Sequence, residues 1–212
     1  MTAIEEYNNL IQNGTIRACK KLKTVYTHIV ENMHNESLQY KYDESKAKRA
    51  VDFIETFCCI PKMRGAPKFK LELWQKAMVE TIFGFVDKET GYRQYREAFL
   101  YVGRKNAKSV LGAAMALYML IADSEDAPEI YSAATDRQQA KIVWEYAKIM
   151  IAHEPSLRKY CKITVSAIEC LGNFGKFVPL SKNSGSLDGL NVSCILLDEL
   201  HAIKDRNMYD VL

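Results

Sequence analysis

The sequence lacks the features that mark several large protein classes. Its 212 residues include only 5 prolines and 10 glycines, and they contain neither an internal repeat nor a low-complexity tract. No apolar run approaches the roughly 20 residues that a transmembrane helix needs, and the first residues do not form a secretory signal. Because 48% of its residues are hydrophobic, the chain can bury a large hydrophobic core.

Neither the charge nor the cysteines identify a partner. The formal net charge is only +3, which is too small to indicate a strongly basic, nucleic-acid-binding surface. The six cysteines include no C-x-x-C pair. We therefore interpret them as reduced thiols that fill the core of a cytosolic protein.

A phosphate-binding pattern occupies residues Phe99 to Ser109. Its apolar, aromatic start predicts a short buried strand, Gly103 predicts a sharp turn, and Lys108 begins a helix that runs to about Ile121. Strand, polar loop, Lys-Ser and helix is the layout of a P-loop. In such a loop the backbone N–H groups hold phosphates, the lysine reaches the β- and γ-phosphates, and the hydroxyl ligates Mg²⁺.

The P-loop pattern is imperfect at both glycine positions. The first would fall on Val102, one place before Gly103, and the second is replaced by Ala107. If position 107 needs a positive φ, alanine costs roughly 1–2 kcal/mol there. A basic surface loop that enters a core helix is the alternative interpretation of this stretch.

A second pattern, Val192 to Glu199, makes the nucleotide interpretation the better one. An apolar, β-rich run that ends in two carboxylates is typical of a Walker B strand. Asp198 is then expected to hold Mg²⁺ beside Ser109, and Glu199 to orient and deprotonate the attacking water. An ordinary strand followed by an acidic turn is the alternative. However, the P-loop pattern and the Walker B pattern occur in the order that is typical of a nucleoside-triphosphate site.

The order of predicted elements gives the fold class. Residues 1–65 predict a helical segment. Residues 66–212 alternate strands and helices, which predicts an α/β core with a mostly parallel sheet. Together with the P-loop and Walker B patterns, we expect this core to be a P-loop NTPase of the RecA-like type. Within this core we predict one strand from Ile163 to Leu171, a helix capped by Thr135 or Asp136, and a mobile loop from Ser181 to Leu190.

Trp74 and Gln75 begin a predicted helix ahead of the P-loop. A Gln amide is both donor and acceptor and so has the groups to read an adenine edge. A helix N-terminus with a packed Trp and a solvated Gln is the alternative, and the residues alone favour it.

Four sequence blocks occur together in the order and spacing of one ATPase family. They are Phe69-x-Leu71-x-x-Trp74-Gln75, Gly103 to Ser109, Tyr131 to Thr135 followed by Gln139-Ala140, and Asp188-Gly-Leu190 ahead of Leu197 to Ala202. Together they resemble the ATPase domain of large terminase subunits, the DNA-packaging motors of tailed bacteriophages.

The resemblance implies a role for each matching residue, with ATP and Mg²⁺ as cofactors. It places Trp74 and Gln75 at the adenine. It makes Gly103, Arg104, Lys105, Asn106, Ala107, Lys108 and Ser109 the nucleotide-binding loop. It gives Arg104 contact with phosphates or the function of an arginine finger. It also makes Ser109 and Asp198 the metal ligands and Glu199 the catalytic glutamate.

The resemblance also implies partners and a setting. These are double-stranded DNA, a terminase small subunit, a portal protein and a homo-oligomeric ring, with no membrane, in the cytoplasm of a bacterium infected by phage or carrying a prophage. The family continues past Walker B to a nuclease domain, so we expect this chain to be truncated, to lack the nuclease and to hydrolyse ATP weakly or not at all.

Two other functions fit the motifs. Asp198 to His201 looks like the D-E-x-H box of helicases, which need a second motor domain. The chain could also be a degenerate nucleotide-binding fragment without turnover.

Overall fold

The computed structural model describes residues 1–134, 137–180 and 191–200. The chain divides into two compact units. One comprises Met1–Glu55 and Lys70–Tyr101, and the other Thr56–Phe69 and Val102–Leu212. The predicted boundary at residue 65 stays a prediction about folding domains, because compactness alone does not measure independent folding.

The first unit is a set of helices around a two-stranded sheet. Its elements are α1 (Ala3–Gln12), α2 (Lys20–Met33), β1 (Tyr40–Tyr42), most of α3 (Glu44–Phe57), α4 (Leu73–Gly84) and β2 (Phe85–Asp87). β1 and β2 pair in antiparallel fashion. An apolar cluster joins α1, α2, α4 and β2; its members are Ile4, Tyr7, Ile11, Tyr26, Ile29, Ala77 and Phe85.

The second unit is a five-stranded sheet with three helices among the described residues. The helices are α5 (Lys108–Ile121), α6 (Arg137–His153) and α7 (Pro155–Tyr160). The strands are β3 (Glu129–Ala133), β4 (Cys161–Ile163), β5 (Ile168–Cys170), β6 (Lys176–Pro179) and β7 (Val192–Leu197). The sheet order is β4-β5-β6-β3-β7. β3 is parallel to β6 and β7, whereas β5 is antiparallel to both of its neighbours. The predicted α/β class is confirmed.

Helix α5 is apolar on almost every side, and the structure buries it accordingly. Its fully buried residues include Leu111, Ala113, Ala114, Ala116, Leu117 and Leu120. Small alanines stand between the leucines, which lets neighbouring elements approach closely. The helix therefore has the packing needed to hold its own N-terminus in a fixed position.

The strand predicted at Phe99–Val102 is wrong. No strand is assigned there, and the side chains of Phe99 and Tyr101 are 78% and 91% exposed. A strand needs a neighbour for its backbone N–H and C=O groups, and no described strand pairs with this run.

The single strand predicted at Ile163–Leu171 is also wrong, because the chain reverses within it. β4 and β5 form a hairpin in which Thr164 N–H donates to Ala167 C=O at 2.8 Å. Val165 at the turn is 96% exposed. The predicted cap at Thr135 or Asp136 and the predicted loop Ser181–Leu190 lie outside the described residues.

The cysteines are all free, as predicted, but they do not all fill the core. Cys58, Cys59, Cys161 and Cys170 are buried, whereas Cys19 is exposed and Cys194 is half-buried. Burial is the main cause that raises the pKa of Cys161 to about 12. The described helices include none with the length and apolar character that crossing a bilayer requires.

Candidate nucleotide-binding site

A carboxylate, that of Asp198, lies directly after the carboxyl end of strand β7. Val192, Ile195 and Leu197 pack against a cluster formed by Tyr131, Ala133 and Leu180, which explains why this apolar run forms a strand. Asp198 follows the last strand residue, and its backbone N–H donates to the carbonyl of Ala133 at 3.1 Å. The position of Asp198 is therefore set by strand pairing.

Ser109 and Asp198 meet although 89 positions separate them in the sequence. The Ser109 hydroxyl donates to Asp198 Oδ2 at 2.9 Å. Ser109 is the second residue of α5, and both side chains are half-buried. The fold thus brings together the two residues for which the sequence predicts Mg²⁺ coordination.

The loop ahead of α5 has an alternating backbone. φ is +66° at Lys105 and +56° at Ala107, whereas Arg104, Asn106 and Lys108 are not in the positive-φ region. Residues that alternate between right- and left-handed conformations direct successive N–H groups into one concave cradle, which binds anions. The alternating sign of φ agrees with the phosphate-binding loop that the sequence predicts here.

The glycine of this loop is not where the backbone needs one. Gly103 does not have a positive φ, and a Cβ added there would meet the Asn106 side chain at an ordinary 3.6 Å. The left-handed positions are held by Lys105 and Ala107, where a β-carbon is unfavourable. The predicted sharp turn at Gly103 is therefore displaced to the next residues.

The N-terminus of α5 offers free donors and positive charge. Its N-cap is Ala107, and the helix has no side-chain cap. The first N–H groups of a helix have no partner within it, and the helix dipole makes this end positive. Lys108 is half-buried in the first turn, and Arg104 and Lys105 are exposed in the loop. All of these groups favour an anion.

Glu199 follows Asp198 in a strained conformation. Its φ is +54°, which is uncommon for a residue other than glycine, and its side chain is exposed. Its backbone N–H donates to Asp198 Oδ1 at 3.0 Å. Since Ser109 contacts the other oxygen, the Asp198 carboxylate is held from two sides.

The oxygen atoms of Ser109 and Asp198 fit a magnesium ion. Mg²⁺ takes oxygen ligands at roughly 2.1 Å in an octahedron, so ligands on adjacent corners lie about 3 Å apart. The two oxygen atoms, joined here by a hydrogen bond, lie 2.9 Å apart, which is close to that spacing. Among the described residues no group of three or more His, Cys, Asp or Glu side chains could hold a metal. Mg²⁺ at nucleotide sites has few protein ligands, because phosphates and waters supply the others.

Trp74 and Gln75 lie in the first turn of α4, in the other compact unit. Trp74 is half-buried and packs against the apolar cluster of that unit. Gln75 is only 2% exposed, and its amide oxygen accepts a hydrogen bond from Glu72 N–H at 2.9 Å. The alternative of a solvated Gln is therefore wrong, while adenine recognition stays a prediction.

Comparison with known proteins decides the family. The family model for the ATPase domain of the terminase large subunit matches residues 73–212. The chain belongs to the terminase large-subunit ATPase family. A terminase large subunit of Enterobacteria phage HK97 is 30% identical over 166 residues, which is 76% of this chain and 31% of that protein.

A solved structure agrees with this assignment. The crystal structure of the HK97 large terminase superposes with a TM-score of 0.67 at 27% identity, covering 78% of this chain and 34% of the other. This terminase ATPase domain therefore has the P-loop NTPase fold that the sequence predicts. The chain spans about a third of the length of these relatives.

Membership has a general consequence for the site. A terminase ATPase domain is a nucleotide-using domain, which agrees with a phosphate-binding loop beside a carboxylate at a strand end. The sequence predicts a phosphate-binding loop at these residues but not the alternating sign of φ along them. The roles of the individual residues in this terminase domain stay predictions.

Proposed function

We propose that this chain binds ATP with Mg²⁺ and hydrolyses it as the ATPase of a phage DNA-packaging motor. The hydrogen bond of 2.9 Å between Ser109 and Asp198 carries the proposal. It joins the N-terminus of a helix to the end of a strand. The sequence predicts a P-loop at the first and a Walker B carboxylate at the second. An arbitrary basic loop and an arbitrary acidic turn have no reason to meet in this way.

Each group of the loop has a defined task in binding. The N–H groups at the start of α5 donate to the phosphate oxygens, and Lys108 adds a charged donor. Ser109 and Asp198 hold the metal ion, which supplies charge neutralisation at the phosphates when it is bound. The contact of Glu199 N–H with Asp198 keeps the carboxylate oriented toward Ser109.

Hydrolysis is assigned to residues next to these. The exposed Glu199 carboxylate accepts a proton from the attacking water, since it follows the metal-holding Asp198 directly. Arg104 lies exposed in the phosphate loop and supplies positive charge as the transferred phosphoryl group separates. Contact of Trp74 and Gln75 with the adenine stays a prediction that rests on the family resemblance alone.

The wider role follows from the family rather than from the site. It includes double-stranded DNA as the translocated substrate, a small terminase subunit and a portal protein as partners, and a ring of identical subunits. No observation favours the helicase alternative. The degenerate-fragment alternative predicts binding without turnover.

Isothermal titration calorimetry with Mg-ADP tests the proposal. Lys108→Ala should weaken binding roughly ten- to hundredfold, because a hydrogen bond to a charged group is lost. Lys162→Ala is a matched control, since Lys162 is an exposed lysine of β4, and it should bind as the wild type does. Equal affinity for wild type and Lys108→Ala would contradict the proposal.

A further inference from the structure

The strained loop before α5 raises a question that the nucleotide site does not answer. Lys105 and Ala107 both hold φ near +60° although neither is glycine. Such a conformation is unfavourable for L-residues and persists only where surrounding contacts fix it. Some contact must therefore keep the loop in this form before a ligand contributes.

The contact is made by the residue between the two strained positions. The side-chain amide of Asn106 donates to the carbonyl oxygen of Gly103 at 3.1 Å and to that of Arg104 at 3.3 Å. An amide NH₂ group has two hydrogens, so one side chain satisfies both acceptors. The two carbonyls lie just before Lys105, and the second strained residue, Ala107, comes directly after Asn106.

We propose that Asn106 is a positioning residue that holds the phosphate loop open for its ligand. By binding the carbonyls of Gly103 and Arg104, it fixes the peptide orientation on one side of Lys105. The N–H groups that follow then point into the cradle. This inference rests on the proposed nucleotide function and adds to it the group that pre-organises the loop.

Pre-organisation has a measurable consequence. A loop that is already in its binding conformation loses less freedom when the ligand arrives, so it binds more tightly without any additional contact. Asn106 is exposed, so its removal should leave the core intact. We therefore expect Asn106→Ala to change ligand affinity strongly and thermal stability only slightly.

Calorimetry with Mg-ADP and with inorganic pyrophosphate tests this role. Asn106→Ala should lower both affinities roughly five- to tenfold, as expected for two neutral hydrogen bonds at an exposed position. Its melting temperature without ligand should stay within about 2 °C of the wild-type value. Asn9→Ala, the same exchange at an exposed position of α1, should change neither affinity.

A double variant separates positioning from direct contact with the ligand. Ala107→Gly removes the β-carbon at one strained position, so the loop needs less support. Asn106→Ala/Ala107→Gly should therefore recover part of the affinity that Asn106→Ala loses. If Asn106 instead contacts the phosphates directly, Ala107→Gly will change the affinity by the same factor with and without Asn106, and this result would overturn the inference.

The remaining outcomes are also decisive. If the wild type binds ADP and Asn106→Ala binds it equally well, Asn106 does not position the loop, while the proposed function stands. If the wild type binds neither ADP nor pyrophosphate, the proposed function itself fails. If Asn106→Ala melts well below the wild type, the amide stabilises the fold rather than the loop, and the inference is wrong.

Discussion

Replacing Ala107 by glycine should stabilise the chain, although the same exchange destabilises most proteins. Ala107 has φ +56° and ψ +24°, a left-handed conformation that costs alanine roughly 1–2 kcal/mol. Glycine removes this cost but loses about 0.4–1 kcal/mol through its greater freedom in the unfolded chain. The net gain should therefore lie between about 0 and 1.6 kcal/mol.

Urea unfolding without nucleotide measures this gain. Ala152→Gly is the matched control, because Ala152 is an exposed alanine in the last turn of α6, where glycine should cost up to about 0.5 kcal/mol, less than in the middle of a helix. The two exchanges are chemically identical and should have opposite signs. If Ala107→Gly destabilised the chain as much as Ala152→Gly does, residue 107 would not be left-handed in solution, and the alternating loop would be refuted.

Three further substitutions test other parts of the account. Glu199→Gln should keep Mg-ADP affinity and abolish ATP turnover, because only a proton acceptor loses its function through this exchange; turnover at the wild-type rate would assign the base elsewhere. Hydrogen bonds from the backbone of Thr90 and the side chain of Gln39 lower the pKa of Asp87 to about 2. Because this pKa lies below the ordinary 3.8, the stabilisation is present above pH 3.8 and is lost as the pH falls toward 2. Asp87→Asn should therefore flatten the acid side of a plot of urea midpoint against pH, and an unchanged curve would remove Asp87 as the cause. Cys19 is the N-cap of α2 and has an extended backbone, but its side chain makes no capping hydrogen bond. Cys19→Asp should therefore raise the free energy of unfolding in urea by about 0.5–2 kcal/mol. The absence of a gain would show that α2 does not begin there.

The meeting of Ser109 and Asp198 could be predicted because general rules of α/β folds determine it. Parallel strands end at one edge of the sheet, and ligands bind where those strands end and helices begin. An apolar run that ends in Asp198, and a Lys-Ser pair that opens the buried helix α5, are enough to apply this rule. No detailed geometry is needed for the prediction.

The backbone of the loop could not be predicted, because local preference opposes it. Lys105 and Ala107 both disfavour positive φ, so single-residue preferences assign this conformation to Gly103 instead. The amide of Asn106 and the start of α5 override those preferences. The sequence pattern contains no trace of the two hydrogen bonds involved.

Strand errors have a related cause. The run from Phe99 to Val102 has the composition of a strand. Composition alone, however, does not determine whether another strand is in place to pair with its backbone. β1 and β2 are only three residues long, which is too short for an alternating pattern to be recognised. In both cases the outcome depends on pairing between distant segments, which the local sequence does not encode.

The most direct test of the central claim is the Mg²⁺ dependence of ADP binding in a double-mutant cycle of Ser109→Ala and Asp198→Asn. If the two side chains hold one metal ion, each single variant should lose most of the affinity that Mg²⁺ adds. The double variant should then bind little worse than the weaker single variant, because the second change removes a ligand from a site that is already lost. Fully additive losses, or Mg²⁺-dependent binding that survives in both single variants, would contradict a shared metal site at the contact between Ser109 and Asp198.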